Sequence, residues 1–238
     1  MRKILITNDD GIEADGIVRL AEVAKEYGEV WVIAPEHQRS AASHCITLRA
    51  PVSVREYDFP VEGVRAYACG GTPADCVRVG SLSVMPYKPD VVLSGINYGF
   101  NVATDVQYSA TVGAAFEAAF QGYRAIALSE DMRDRHGITD AYIRRLLDEY
   151  IDVELGRERI ININFPCGDP EDCRGIMRGV KTSGGSFFHD RYKLLEEKED
   201  GTKIYMVDGI YNEDAEDGTD FKAVVDHYIS VGIVKNIK

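Results

Sequence analysis

The feature that most restricts the fold of this chain is the alternation of short apolar runs with amphipathic stretches over its first two thirds. Residues 3–7 are a brief apolar run of the kind that forms a strand buried on both faces. Over 15–27, Ile17, Leu20, Ala21, Val23, Ala24 and Tyr27 recur at helical spacing, and Gly28 supplies a stop. Strands are expected at 30–34, closed by Pro35, and at 64–69. Thr72-Pro73 reads as an N-cap with proline in the first helical position, opening a helix towards Met85. The pattern continues with a strand at 90–94, a small-residue helix at 110–121 capped by Ser109 and ended by Gly122, a strand at 125–129, a helix at 139–153 and a strand at 159–164. Such units imply a mostly parallel sheet covered on both faces by helices, a doubly wound, Rossmann-like α/β fold. Ligands of these sheets sit beyond the carboxyl ends of the strands.

After Pro166 the pattern changes. Residues 167–219 are rich in glycine and charge, with a strand expected at 203–207, and read as an irregular or hairpin-like excursion suited to an oligomer arm. A helix at 220–227 and an extended segment at 228–234 follow. We therefore expect one domain over 1–238, with an α/β core at 1–166 and an extension at 167–238; 238 residues are ample for a single buried core.

Composition narrows the function. Hydrophobic residues make up 45% and charged residues 28%, as in a globular protein. A net charge of −12 argues against binding nucleic-acid polymers, which reward clustered Lys and Arg. It leaves small anions open, because one bound cation reverses the local field. Only Ile4, Leu5 and Ile6 stand together before polar residues return, so no secretory signal is expected, and no run approaches a membrane span. Cys45, Cys69, Cys76, Cys167 and Cys173 lack zinc-site spacing and read as reduced, small hydrophobes, which places the protein in the cytoplasm.

Four short segments carry polar chemistry to one rim of the sheet. Thr7-Asn8-Asp9-Asp10-Gly11 follows the first strand. Its adjacent carboxylates suit a hard divalent cation with oxygen ligands; the segment also fits an ordinary turn with a capping aspartate. Ala34-Pro35-Glu36-His37-Gln38-Arg39-Ser40 and Ser94-Gly95-Ile96-Asn97-Tyr98-Gly99-Phe100-Asn101 follow two further strands and deliver Ser40, Asn97 and Asn101 to the same edge. Any one of these is commonplace in a loop; their convergence is what a site requires. Tyr108-Ser109-Ala110-Thr111-Val112-Gly113 opens a helix whose free N–H groups and two hydroxyls form either a phosphate cradle or a plain cap with small residues for close packing.

Other segments carry less. No G-x-x-x-x-G-K-[ST] loop is present, and Gly70-Gly71-Thr72-Pro73 lacks dinucleotide-binding spacing. His37 and His44 lie near the rim, where loop histidines are more often structural than catalytic. Gly184-Gly185-Ser186, leading to Phe187-Phe188-His189, is a further segment able to approach a substrate.

Taken in order, Asn8-Asp9-Asp10-Gly11, Ala34-Pro35 with Arg39-Ser40, Gly71-Thr72-Pro73-Ala74-Asp75-Cys76, Ser94-Gly95-x-Asn97, Tyr108-Ser109-x-Thr111 and Asn162-x-Asn164-x-Pro166 resemble the SurE (stationary-phase survival protein) family of metal-dependent 5′(3′)-nucleotidases. The resemblance runs from Met1 to about Pro166 and resumes weakly over 220–231. It implies a homodimer or homotetramer and one divalent cation per subunit, Mg²⁺ or Mn²⁺, held by Asp9, Asp10, Ser40 and Asn97. It also implies phosphate contacts from Asn101, Ser109 and Thr111, and hydrolysis of nucleoside 5′- and 3′-monophosphates, with short polyphosphate as a further substrate. Two departures stand out: Ala110 occupies a position where the family commonly has glycine, and the family's closing Thr-Pro is replaced around Val231-Gly232-Ile233.

On this reading Asp9 or Asp10 accepts the proton of an attacking water, while Ser109, Thr111 and neighbouring N–H groups hold phosphate oxygens and Asn101 orients the substrate. Two alternatives share the fold. One is a phosphate-accepting signalling domain, which needs a lysine at a later strand end; neither the Ser94 nor the Ser129 strand end has one. The other is a non-catalytic metal or nucleotide sensor.

Overall fold

The computed structural model describes every residue except 134, 213, 237 and 238, and the elements below are those of the described residues. In chain order they are β1 (Arg2–Thr7), α1 (Asp15–Ala24), β2 (Gly28–Pro35), β3 (Val54–Tyr57), β4 (Arg65–Cys69), α2 (Pro73–Val79), β5 (Val91–Tyr98), α3 (Ala110–Gln121), β6 (Arg124–Glu130), α4 (Gly137–Tyr150) and β7 (Arg159–Phe165). The extension adds β8 (Ile176–Val180), β9 (Phe188–His189), β10 (Tyr192–Glu197), β11 (Lys203–Val207), β12 (Ile210–Tyr211), α5 (Asp220–Val225) and β13 (Ile229–Lys235).

The main sheet runs β3-β4-β2-β1-β5-β6-β7-β13-β8. From β4 to β7 every neighbouring pair is parallel. The parallel strands therefore go outwards from β1 in one direction and from β5 in the other, and the order reverses between those two. In an open α/β sheet that reversal opens a crevice beyond the strands' carboxyl ends. The central strands are buried along nearly their whole length, as parallel strands covered on both faces must be.

The two cores confirm the double winding. Ile4, Ile6, Val32, Leu93 and Ile163 pack with α1 and α4 through Ile17, Leu20, Ile143 and Leu147. Leu5, Ile33, Val92 and Ile160, from the opposite face of the same strands, pack with α2 and α3 through Val77, Val112, Ala115 and Ala119. The alanines of α3 bring its axis close to the sheet. Thr72 caps α2 in a full capping box with Asp75, with Pro73 in the first turn, and a wider helical turn, Gly80–Val84, extends it almost to Met85.

Several boundaries differ from expectation for local reasons. Helix α1 ends at Ala24 rather than Tyr27, because Tyr27 N–H bonds back to Ala24 O in a closing turn. β5 runs on to Tyr98, past a register shift between Ser94 and Asn97. The extension returns to the main sheet: β13 lies between β7 and β8, antiparallel to β7, which it covers, and parallel to β8, while among the described residues β10 and β11 pair only with each other. Among the described residues, no helix is long and apolar enough to cross a membrane.

Candidate active site

The crevice between β1 and β5 is where four loops meet. The first is shaped by Asn8, whose side-chain amide donates to Gly11 O at 2.8 Å and whose Oδ1 accepts from Gly11 N–H at 3.2 Å. Gly11 has φ of +104°, a conformation that glycine alone adopts readily. This clamp turns the chain just after the buried strand and presents Asp9 and Asp10 at its end.

Asp9 is only 3% exposed, and the Thr111 hydroxyl donates to its Oδ1 at 2.6 Å. Burial pushes the Asp9 carboxyl up to about 6; the Thr111 hydrogen bond opposes the shift and the nearby Asp10 charge adds to it. Asp10 accepts from the Tyr98 backbone N–H at 3.0 Å and from the Gln38 amide at 3.4 Å. Burial raises its carboxyl as well.

Gln38 also donates to Ser40 Oγ at 3.0 Å, so one amide joins Asp10 to Ser40. Arg39 N–H donates to the Asp9 carbonyl at 2.6 Å, fixing the second loop to the first. Asn97 precedes Tyr98, whose N–H holds Asp10, and its own amide nitrogen donates to Gly99 O at 2.6 Å, leaving Oδ1 available as a ligand. Asp9, Asp10, Ser40 and Asn97 are thus linked through Gln38, Arg39 and Tyr98. Among the described residues, no three His, Cys, Asp or Glu side chains gather as a metal site. A cation here would draw on two carboxylates completed by hydroxyl and amide oxygens, a donor set for a hard ion.

The predicted phosphate residues divide. Ser109 Oγ caps α3, accepting from Val112 N–H at 3.1 Å, and Thr111 is aimed at Asp9. Ala110 is the first residue of the helix and is not among the positive-φ residues, so alanine in place of glycine costs no backbone strain. Asn101 is buried, donates to Ser129 Oγ at 2.7 Å and is held by Asn162 and Asn164, whose amides donate to its carbonyl at 2.8 and 3.3 Å. Helix α3 therefore points its positive end at Asp9.

The two loop histidines part company. His44 bonds the buried Glu117 at 2.9 Å and packs against Phe120, beneath α3; His37 is exposed. The 40–44 loop can lie on α3 because residue 113 is glycine; a Cβ there would fall 2.6 Å from Ser43 O. Sequence reasoning gave no role to Asn8, Gln38, Gly113 or Glu130. Of these, Glu130 shares a cavity of about 240 Å³ with Asp10, Gln38, Tyr98 and His136, and is paired with Arg19 at 2.7 Å. The polar Asn162 and Asn164 within an otherwise apolar strand were a visible signal; Gln38 was not, since nothing local separates it from any other loop glutamine.

The fold and rim together define an open, doubly wound α/β protein with an acidic site at its topological switch point, closed by a helix N-terminus. The family model for survival protein SurE matches residues 4–186. The chain is 38% identical over 232 residues to a 5′-nucleotidase SurE of Clostridium botulinum (strain ATCC 19397 / Type A), covering 96% of this chain and 90% of that protein. It is 36% identical over 235 residues to a 5′-nucleotidase SurE of Thermoanaerobacter sp. (strain X514), with the same coverage. The crystal structure of the SurE protein from Aquifex aeolicus superposes with a TM-score of 0.83 at 30% identity, covering 99% of this chain and 94% of that one. The chain belongs to the SurE family.

Proposed function

We propose that this protein is a metal-dependent phosphomonoesterase that hydrolyses nucleoside 5′- and 3′-monophosphates to nucleoside and phosphate. The observation that carries this reading is the Asp9–Asp10 pair at the switch point, Asp9 buried and Asp10 partly buried, faced by the N-terminus of α3 through Thr111. Relatives named 5′-nucleotidase, at 36–39% identity over nearly the whole chain, support the same chemistry.

The residues fit a divalent cation. Two acids that burial makes costly to ionise, with an amide oxygen and a hydroxyl close by, lack only a positive charge. Asp9, Asp10, Ser40 and Asn97 would hold Mg²⁺ or Mn²⁺. When bound, such an ion polarises the phosphoryl oxygens and lowers the pKa of a coordinated water. Thr111 holds Asp9 in place, and Asp9 or Asp10 takes up the attacking water's proton. The first turn of α3, through the Ser109 hydroxyl and the Thr111 backbone N–H, receives phosphate oxygens, its amide dipoles stabilising charge as it develops. Asn101, fixed by Asn162 and Asn164, sets the loop that orients the substrate.

We also assign the β10–β11 arm to subunit contacts in a homodimer or homotetramer, because Tyr192, Leu195, Tyr205, Met206 and Val207 are all exposed on it.

The test is phosphate release from nucleoside monophosphates and sugar phosphates with Mg²⁺ or Mn²⁺, with and without chelator. We expect steady release that chelator abolishes and that Asp10→Asn lowers by about a thousandfold, near the loss on removing one electrostatic stabiliser elsewhere. Stoichiometric nucleotide binding without release would replace the enzyme with a sensor of the same fold.

A further inference from the structure

Asn101, which sets the substrate loop, and Ser109, which receives phosphate, stand at either end of one loop, and what fixes its middle lies outside the rim. The middle turns at Ala103, which is 1% exposed and has φ of +53°, a left-handed conformation that alanine adopts only where its surroundings hold it. From there the chain winds through a tight helical turn, Ala103–Gln107, and the Asp105 carbonyl accepts the Tyr108 and Ser109 N–H groups at 3.0 Å each. The placing of Ala103 is therefore passed forward to Ser109 at the mouth of α3, and back over two residues to Asn101.

A carboxylate from the extension holds Ala103. Asp220, the first residue of α5, is 2% exposed, and its Oδ2 accepts the Ala103 N–H at 3.2 Å across 117 residues of sequence. Its Oδ1 accepts the N–H groups of Ser183 at 2.9 Å and of Phe221 at 2.8 Å. A second strut lies alongside: Thr104 N–H donates to Gly185 O at 3.3 Å, and Gly185 N–H donates to Ser183 Oγ at 3.1 Å. Beside these bonds Val102 and Ala103 pack with Phe187, Phe221 and Val224 in a small apolar core. Burial raises the Asp220 carboxyl, and the N–H groups of Ser183, Phe221 and Ala103 oppose the shift. A carboxylate this deep is costly unless hydrogen bonds satisfy it, so the site is built around these three donors.

An aspartate at a helix start commonly serves its own helix. Here the cap is Thr219, whose hydroxyl accepts the Lys222 N–H at 3.2 Å. Asp220 instead joins segments: one oxygen gathers the extension and the other reaches the rim loop. We propose that Asp220 is a positioning residue for phosphate-ester hydrolysis, setting through Ala103 the loop that places Asn101 and Ser109. The inference rests on the phosphomonoesterase reading and deepens it. It gives the extension a part in the chemistry besides assembly.

The experiment compares the full-length wild type with Asp220→Asn and Thr219→Ala on a nucleoside 5′-monophosphate with Mg²⁺ or Mn²⁺. Asparagine keeps the side chain's shape and replaces one acceptor oxygen with a donor; Thr219→Ala loosens the same helix start and leaves the carboxylate in place. Both variants should unfold at a lower temperature than wild type. In Asp220→Asn alone kcat should fall about tenfold or more, with KM moving less than about threefold, because misplaced groups cost rate. Hydrogen exchange over residues 99–109 should quicken about tenfold in that variant and keep the wild-type rate in Thr219→Ala. Equal kcat in the two variants, or a loop that exchanges at the wild-type rate in Asp220→Asn, overturns the assignment. If Asp220→Asn does not fold, native-state exchange of the wild type in low urea decides. Ala103 opening together with Ser183 and Phe221 supports the link, and Ala103 opening well before them overturns it. A wild type that releases no phosphate sinks the phosphomonoesterase reading, while the exchange result still decides whether Asp220 sets the loop.

Discussion

The switch-point rim and the β10–β11 arm are made by opposite means. At the rim, Asp9 and Asn101 are buried and each is held by a distant part of the chain: Asp9 by Thr111, 102 residues away, and Asn101 by Asn162 and Asn164. On the arm, Tyr192–Glu197 is exposed at every residue and, among the described residues, its strand pairs only with Lys203–Val207. The ion pair at its base, Arg191–Asp208 at 2.8 Å, is largely open to solvent. The rim inherits its geometry from the sheet beneath it. The arm has little besides its own backbone ladder, and an isolated two-stranded hairpin is marginal in water. The first region is specified within one subunit; the role proposed for the second is to meet another copy.

If this contrast is right, single changes beneath the rim should cost far more than changes on the arm. The largest loss is expected from Glu117→Gln. Burial by itself raises the Glu117 carboxyl, but hydrogen bonds from His44 and Gln121 and the charge of Arg78 bring it down to about 2. Breaking this buried ionic cluster should lower unfolding stability by about 3 kcal/mol in urea. The pH dependence has a definite sign. A carboxyl depressed on folding stabilises the protein above its unfolded value, and that contribution is lost as pH falls from about 4.5 towards 2. The variant should show a flatter acid limb over that window; an unchanged limb would mean that His44 and Arg78 do not anchor the 40–44 loop through Glu117.

A smaller effect should follow from Thr111→Val, which keeps the side chain's shape and removes the hydroxyl that donates to Asp9. A hydrogen bond to a charged group contributes about 2 kcal/mol, so kcat/KM should fall roughly thirtyfold with the circular dichroism spectrum intact. A loss of less than threefold would show that α3 closes the site without positioning Asp9.

These cases also show what was legible in the sequence. Asp9, Asp10, Ser40 and Asn97 stood out because short polar residues follow apolar runs at strand ends, where the backbone leaves the sheet and its next side chains must face the crevice. The strand–helix alternation was legible for the same local reason. β3, with Arg55 and Glu56 on an edge, and β8, with an exposed Arg178, carry no comparable apolar signal. The seating of β13 between β7 and β8 is a choice of partner, which no local pattern records. Gln38 and Gly113 act only through residues distant in sequence, the one bridging two loops and the other yielding space to Ser43. Phe187 and Phe188 were visible as a segment, but the small core they join exists only once the extension folds back against Val102 and Ala103.

The smallest expected change in folding is on the arm, and it is the sharpest test of the contrast. Tyr205 is 52% exposed and lies on β11 opposite Leu194, itself 44% exposed. Within one subunit, Tyr205→Ser removes little buried surface, so unfolding at a concentration where the protein is monomeric should move by no more than about 0.5 kcal/mol. If the arm meets a second copy, those same apolar side chains lie in an interface, where aromatic residues carry a large share of the binding energy. Sedimentation velocity should then show the variant dissociating at protein concentrations at least tenfold above those at which the wild type dissociates, with phosphate release per subunit measured alongside. A large monomer destabilisation would mean that the arm is built into its own subunit's core. An unchanged association constant would mean that the exposed apolar strip serves something other than a second copy. In either event the division between a rim specified by burial and an arm specified by assembly would fail.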